Sequence, residues 1–315
     1  MARVTVGMPV HNGERFIAEH LRAFLDQTFE DFELVVGDND STDRTREICL
    51  DFAALDPRIR YVRRDRNLGA AANVNLLAKE AKSEYFKLAA HDDLHAPRHL
   101  EACIQALDAD SSIVLSHTGV RFIDENGDPL PPVPSRPDRF IDFSGRSWGM
   151  DQPSRRMSSW TAWERYHDLI HNTVLAGEIW GVIRRADLMR TRLLRPYFGS
   201  DRPMLAELAL AGRFLHIPEA LFALRLHPGN TSRQSWRTRG ELIDPDSLPW
   251  AMRLTGLQAF WDFGRAIWRS DVSRVEKAYS SWSWATLPFS RRIVRKLLIP
   301  GPHNYLGLER GETPR

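Results

Sequence analysis

The first 120 residues alternate strand and helix signals, and this rhythm constrains the fold more than any other feature of the chain. Short apolar runs cover Arg3 to Pro9, Phe32 to Gly37, Ile59 to Arg63 and Tyr85 to Ala89, with a β-rich stretch from Ile113 to Phe122. Between them fall helical patterns over Glu14 to Gln27, Thr42 to Leu55, Ala70 to Ala81 and Pro97 to Asp108. Pro97 is a natural first helical residue, because its missing N–H would have no helical partner there. Strands separated by helices of this length pair in parallel through right-handed crossovers. The expected fold is α/β, a mostly parallel central sheet flanked by helices. Ligands of such sheets bind beyond the carboxyl ends of the strands. His11-Asn12, Asp38-Asn39-Asp40 and His91-Asp92-Asp93 each directly follow a strand, so the three polar clusters should meet along one edge.

The pattern breaks between Asp128 and Trp160, where Pro129, Pro131, Pro132, Pro134, Pro137 and Pro153 mark a long irregular segment. Beyond it the sequence predicts a helix over Trp160 to Asn172, an extended Glu178 to Arg184 and a short helix from Ala186. A helix over Asp201 to Ala211 and a strand near Phe214 to Ile217 follow. The tail from Pro249 reads as helices bearing Trp250, Trp261, Trp268, Trp282 and Trp284, then a basic amphipathic stretch from Arg291 to Leu298. The division expected is one unit over 1–235, with halves 1–125 and 126–235, and a helical C-terminal extension over 236–315.

Composition narrows the classes. The chain has 315 residues, 43% hydrophobic and 27% charged, which suits a globular protein. Its 43 basic and 41 acidic residues leave +2, too small a surplus for a nucleic-acid binder that relies on phosphate neutralisation. The two cysteines, Cys49 and Cys103, lie in helical patterns without metal or redox spacing. No apolar run approaches the ~18 residues of a membrane span, and no signal-peptide pattern precedes the first strand, so a cytoplasmic location is expected.

Four clusters could carry chemistry. In Asp38-Asn39-Asp40-Ser41-Thr42-Asp43 a strand end runs into a helix start; Ser41 or Thr42 can cap the helix, while Asp38 and Asn39 suit hydrogen bonding to a base or ribose. In His91-Asp92-Asp93 adjacent carboxylates repel unless a cation or donors offset them, although the pair can also cap a helix. Phe198-Gly199-Ser200-Asp201 delivers Asp201 to a helix start, where Ser200 or Asp201 would itself be a good cap. Arg225-Leu226-His227 follows an apolar segment and suits phosphate or metal contact, or is an ordinary surface turn.

Taken in order, these residues resemble the family 2 glycosyltransferases, inverting enzymes with the GT-A fold. Pro9-Val10-His11-Asn12 is similar to the family's opening Pro-x-Tyr-Asn. Leu25-x-Gln27-Thr28-Phe29-x-Asp31-Phe32-Glu33, Asp38-Asn39-x-Ser41-Thr42-Asp43-x-Thr45, Asn67-x-Gly69 and Asn73 continue it. The Asp92-Asp93 pair stands in place of the Asp-x-Asp element, then come Asp201 and the Arg-x-His turn. The likeness spans about residues 3–235 and is densest in the first half.

The resemblance implies a GT-A nucleotide-sugar-binding fold and transfer from a nucleotide-diphospho-sugar to an acceptor hydroxyl, in cell-surface polysaccharide, glycolipid or glycoconjugate synthesis. It implies that Asp93 and His227 hold Mn²⁺ or Mg²⁺ on the donor diphosphate. Pro9, His11, Asn12, Asp38, Asn39, Asn67, Asn73, Asp92 and Arg225 would line the donor, and Asp201 would be the base that deprotonates the acceptor. The sequence departs from the family at His11, at His91 and at Asn39, which replaces an Asp that contacts uracil in related enzymes. UDP, dTDP and GDP donors are therefore all open. A saccharide or lipid-linked acceptor is expected against aromatic faces such as Trp148, Trp160, Trp163 and Trp180, with peripheral membrane contact through 291–298 and homo-oligomers both open. A nucleotide-sugar-binding protein without catalysis is the alternative. A dinucleotide oxidoreductase is discounted, because Met8-Pro9-Val10-His11-Asn12-Gly13 stands where a Gly-x-Gly-x-x-Gly turn would be needed.

Overall fold

A computed structural model describes residues 1–289 apart from 135, 143, 145–146, 150–155, 174–175 and 247–253. The first half runs β1 (Val4–Val10), α1 (Ile17–Leu25), β2 (Phe32–Asp38), α2 (Thr45–Leu55), β3 (Ile59–Arg63), α3 (Ala70–Glu80), β4 (Tyr85–Leu88), β5 (Leu94–His95), α4 (His99–Ala109) and β6 (Ile113–Ile123). Then come β7 (Pro132–Val133), β8 (Arg136–Ile141), β9 (Ser147–Gly149), α5 (Ala162–Asn172), β10 (Val182–Arg184), α6 (Arg185–Arg190), α7 (Asp201–Ala211) and β11 (Arg213–Arg225). Three helices end the described chain: α8 (Trp236–Ile243), α9 (Thr255–Arg269) and α10 (Arg274–Thr286).

Eight strands form the main sheet in the order β3-β2-β1-β4-β10-β6-β11-β5. Pairing is parallel across β3, β2, β1 and β4 and between β6 and β11, while β10 and β5 run antiparallel to their neighbours. Strand β1 is covered on both faces, with Val4, Val6 and Met8 buried on one and Thr5 and Gly7 on the other, as a central parallel strand should be. Helix α1 supplies one cover through Ile17, Leu21 and Phe24, a stripe at helical spacing. On the other face, Gly7 lets the Phe86 ring approach so closely that an added Cβ would lie 2.8 Å from it.

Three expectations change. The Pro-rich segment contains a small antiparallel sheet, β7-β8-β9, so it is less irregular than its prolines suggest. Residues Gly177–Trp180 form a 3-10 turn, and only Val182–Arg184 of the expected extended stretch is a strand. Strand β11 continues far past Ile217, because register shifts between Ile217 and Phe222 absorb Pro218 and let pairing with β6 resume to Arg225.

Helices α9 and α10 pack onto the sheet's helical layer. Phe263, Ala266 and Ile267 join Tyr166, Leu169, Leu205 and Leu208 in one core. Polar contacts reinforce this: Tyr166 donates its hydroxyl to the Phe263 carbonyl at 2.9 Å, and Glu276 accepts the Trp163 backbone N–H at 2.7 Å. Among the described residues no helix is long and apolar enough to cross a membrane. Pro153, Trp250, the stretch 291–298 and the side chain of Trp148 lie outside the described residues.

Candidate active site

The carboxyl ends of β1, β2 and β4 are adjacent, as the pairing order requires, and the polar clusters gather there. Left-handed backbone at Asn12 (φ 54°) and Asp40 (φ 65°) turns the chain sharply after β1 and β2. The two turns interlock. His11 Nδ1 lies 3.0 Å from the Asn39 carbonyl, Asn12 N–H donates to Ser41 Oγ at 2.9 Å, and Thr42 N–H donates to Asn12 Oδ1 at 2.8 Å. Ser41 therefore ties the loops together and does not cap α2, which starts at Thr45.

Behind these loops the carboxylate and amides have partners inside the protein. Asp38 is fully buried and accepts hydrogen bonds from the Ser41 N–H at 2.8 Å and from the Tyr61 hydroxyl. Asn39 donates to Asn67 Oδ1 at 2.7 Å and accepts from Leu68 N–H at 2.9 Å, so both ends of its amide hold the 67–69 loop. Asn73 donates to the Gly37 carbonyl at 2.6 Å and accepts from Arg64 Nε at 3.2 Å. Pro9 sits in β1 opposite Gly37. His11 is half-buried and Asn12 exposed, which leaves them the more accessible members of this group.

The acidic turn after β4 is held by the far end of β11. Arg225 is buried to 1% and donates through Nε to the Asp92 carbonyl at 2.7 Å, through its backbone N–H to Asp93 Oδ1 at 2.9 Å, and through Nη2 to Glu19 at 2.7 Å. Its guanidinium carbon lies 5.0 Å from the centre of the Phe16 ring, which also meets the His227 ring at 4.8 Å. Arg225, expected to line the donor, thus has its backbone N–H and all three guanidinium nitrogens engaged with protein groups. His227 Nε2 stands 2.9 Å from Asp92 Oδ2, and Asn230 Nδ2 is 3.3 Å from the same oxygen. Phe16 and Glu19 are organisers that motif reading passed over, while Asn230 belongs to the Arg225–Ser232 cluster and gains a definite part through its bonds to Asp92 and the Arg225 carbonyl.

Electrostatics separate the two neighbouring carboxylates. Burial pushes Asp92 up, but the hydrogen bond with His227 and the His91 and His227 rings outweigh it and bring Asp92 down to about 2. Burial and the adjacent Asp92 push Asp93 well above the usual carboxylate range, against the pull of Arg225. Lys87, buried in β4 with Nζ donating to the Trp180 carbonyl, is lowered by burial to about 7. Asp92 is thus the ready anion, and Asp93 faces inward.

A divalent cation can be tested against this donor set. Two ligands at about 2.1 Å on adjacent octahedral positions sit about 3 Å apart, close to the Asp92–His227 separation. His227 Nδ1 accepts the Gly229 N–H at 3.2 Å, so Nε2 carries the ring hydrogen in this arrangement and must release it to ligate. No group of three or more His, Cys, Asp or Glu side chains among the described residues is placed to hold a metal unaided. The set fits an ion that takes most of its ligands from water and a diphosphate, the usual habit of Mg²⁺.

Asp201 opens α7 after a turn that uses positive φ at Gly199 (87°). Ser200 does not cap the helix; its hydroxyl donates to the Arg195 carbonyl at 2.8 Å. Burial raises the Asp201 carboxyl above its ordinary value. No hydrogen bond or ion pair among the described residues joins Asp201 to either strand-end cluster. Helix α8 spans the region between them: Arg239 lies over the Phe198 ring at 4.9 Å, and a Cβ on Gly69 would come 2.3 Å from the Ile243 carbonyl oxygen.

A mostly parallel sheet with interlocked strand-end loops and an acidic turn braced by a later strand defines a GT-A-type α/β protein. The sequence model described as Glycosyl transferase family 2 matches residues 5–184, more than half the chain, and the protein belongs to that family. The uncharacterized glycosyltransferase MJ1057 of Methanocaldococcus jannaschii is 32% identical over 129 residues, 40% of this chain and 44% of the relative. GlyG of Streptococcus pneumoniae is 29% identical over 115 residues, 36% of this chain and 38% of the relative. The chain thus spans less than half the length of these relatives. Among solved structures, S. aureus TarS 1–349 in complex with UDP-GlcNAc superposes with TM-score 0.62 at 18% identity, covering 95% of this chain and 76% of that one. The mannosyltransferase PcManGT from Pyrobaculum calidifontis, in complex with GDP-Man and Mn²⁺, gives 0.53 at 18% identity, covering 96% and 84%. At these identities the likeness shows the fold.

Proposed function

We propose that this protein is an inverting glycosyltransferase that moves a sugar from a nucleoside-diphosphate donor to an acceptor hydroxyl. The observation that carries the reading is the Asp92–His227 pair at 2.9 Å, set on a buried Arg225 brace at the carboxyl edge of the sheet. UDP-GlcNAc in TarS and GDP-Man in PcManGT support a nucleotide-sugar donor. His11 and Asn12 would meet the nucleotide, while Asp38, Asn39, Asn67 and Asn73 shape the wall behind it.

The family resemblance assigns the metal to Asp93 and His227; the geometry favours Asp92 with His227. Asp92 offers an ionised oxygen beside the imidazole, whereas Asp93 points at the Arg225 backbone N–H. Mn²⁺ or Mg²⁺ bound there would offset charge on the leaving diphosphate. Asp201 would accept the proton of the attacking hydroxyl, and burial, which raises its carboxyl above the ordinary value, strengthens it as a base. Such a base contributes about 10²–10⁴-fold. The catalytic unit would be 1–235, with 236–315 an extension whose α8 borders the donor side.

The test is release of nucleoside diphosphate from UDP-, dTDP- and GDP-sugars with mixed saccharide acceptors, with and without EDTA. Release that stops in EDTA and in Asp201→Asn, with donor binding retained in the variant, supports the reading. Full activity in EDTA refutes the cation's part, and an unaffected Asp201→Asn refutes the base. Tight donor binding without turnover would point to a binding protein.

A further inference from the structure

We propose that the outer face of α9 and α10 docks on an anionic lipid surface. Both helices bury one side in the protein core and leave an aromatic stripe on the other. On α9 the exposed residues Leu257, Trp261, Arg265 and Trp268 follow helical spacing. On α10 the stripe is Val275, Ala278, Tyr279, Trp282 and Ala285, all uncharged. Trp282 is 63% and Val275 64% exposed, values far from those of core residues. The two stripes adjoin through Trp284, whose ring meets Trp261 at 5.9 Å and Trp268 at 5.8 Å, while Trp163 of α5 extends the face by stacking on Tyr279 at 5.3 Å.

Charge selects the occupant. The carboxylates of this region are engaged elsewhere: Asp262 is buried against Arg192 at 2.7 Å, Glu276 accepts the Trp163 N–H at 2.7 Å, and Asp271 pairs with Arg190. Arg269 and Arg274 are exposed and form no ion pair among the described residues, and Lys277 reaches only the Trp268 carbonyl at 3.4 Å. The sequence has no acidic residue from Lys277 through Leu308, a span that includes Arg291, Arg292, Arg295 and Lys296. Tryptophan and tyrosine favour the membrane–water boundary, and basic side chains around them are attracted to anionic headgroups. A protein partner of opposite charge would meet the cations but not the broad, knobbed aromatic stripe as well as a deformable bilayer would.

The test is sedimentation of the full chain with phosphatidylcholine vesicles that contain or lack phosphatidylglycerol, at low and high salt. Partition into the phosphatidylglycerol vesicles only, weakened by salt, is expected. It should fall by at least about tenfold in Leu257→Ser/Val275→Ser/Trp282→Ser and in Arg269→Glu/Arg274→Glu. The positions are exposed, so melting temperature should hold; if the first variant fails to fold, the charge-reversal pair decides. No partition at low salt overturns the proposal, as does undiminished binding in the charge-reversal pair or in a folded triple-serine variant. A dimer in lipid-free solution that the triple variant dissolves also overturns it, because a second copy then covers the face.

Discussion

Beneath the acidic turn lies a buried group of imidazoles that should make the fold acid-sensitive. His20, His95 and His99 are almost wholly buried, with His20 and His95 ring centroids 5.4 Å apart and His95 and His99 4.9 Å apart. Lys87 of β4 and His117 of β6 add positive influence around His99, and His95 faces it directly. Burial lowers His95 and His99 well below 6.5, and His20 to about 3. The unfolded chain therefore binds more protons than the folded one below about pH 6.5, and stability falls as pH drops. For one imidazole kept neutral in the fold and free at 6.5 when unfolded, moving from pH 7.5 to 5.0 costs about 2 kcal/mol. Three would cost about 6 kcal/mol, a large part of the ~5–15 kcal/mol of a typical domain. Substituting His99→Phe should remove about 2 kcal/mol of that pH dependence whatever it does to stability at pH 7.5, because the carboxylates are unchanged. Urea unfolding of both proteins at the two pH values measures it. Equal pH losses in protein and variant would refute the burial argument.

Other outcomes follow from the site. Asp92→Asn should abolish the response of activity to Mn²⁺, while Asp93→Asn, which keeps an acceptor for the Arg225 N–H, should leave cation affinity within about twofold; titration of activity with Mn²⁺ separates them, and the reverse pattern would return the metal to Asp93. Transfer rate should rise with pH along a limb displaced above the ordinary carboxylate range, since Asp201 must be ionised to act; a pH–rate profile shows the limb, and its persistence unchanged in an active His227→Gln variant would assign it away from His227. Arg225→Met should destabilise by about 1–3 kcal/mol, chiefly by leaving the Asp92 and Glu125 carbonyls without their donor, since Glu19 is half exposed and can turn to water; the denaturant midpoint reads it. Gly69→Ala should weaken donor binding and displace α8, because the position needs φ 80° and its Cβ would strike the Ile243 carbonyl; isothermal titration with UDP or GDP checks it.

Much of the fold over residues 1–125 was legible because its signals are local. Each strand there is an apolar run between helical repeats, and the polar residues that end β1, β2 and β4 converge simply because parallel neighbours end together. The remainder depends on pairing at long range. Pro218 and Glu219 interrupt the local strand pattern, so nothing near Phe222 announces that β6 continues the pairing to Arg225. Without that strand, Arg225 reads only as a ligand contact, and its hydrogen bonds to Asp92 and Glu19, which brace the acidic turn, go unseen. Likewise the 67–69 loop occupies both ends of the Asn39 amide, a partner set at sequence distance 28 and more that no motif spacing specifies.

The placement of β10 also dictates how the chain must be made. Its residues Val182 and Ile183 pair with β4 on one side and with β6 on the other, so the sheet stays split until they arrive. During synthesis at about 5–20 residues per second, the ~60 residues from Ile123 to Val182 take roughly 3–12 s to emerge. For that interval β4 and β6 offer bare edges to any passing strand, a window in which a chaperone would matter more to this protein's yield than to its final stability.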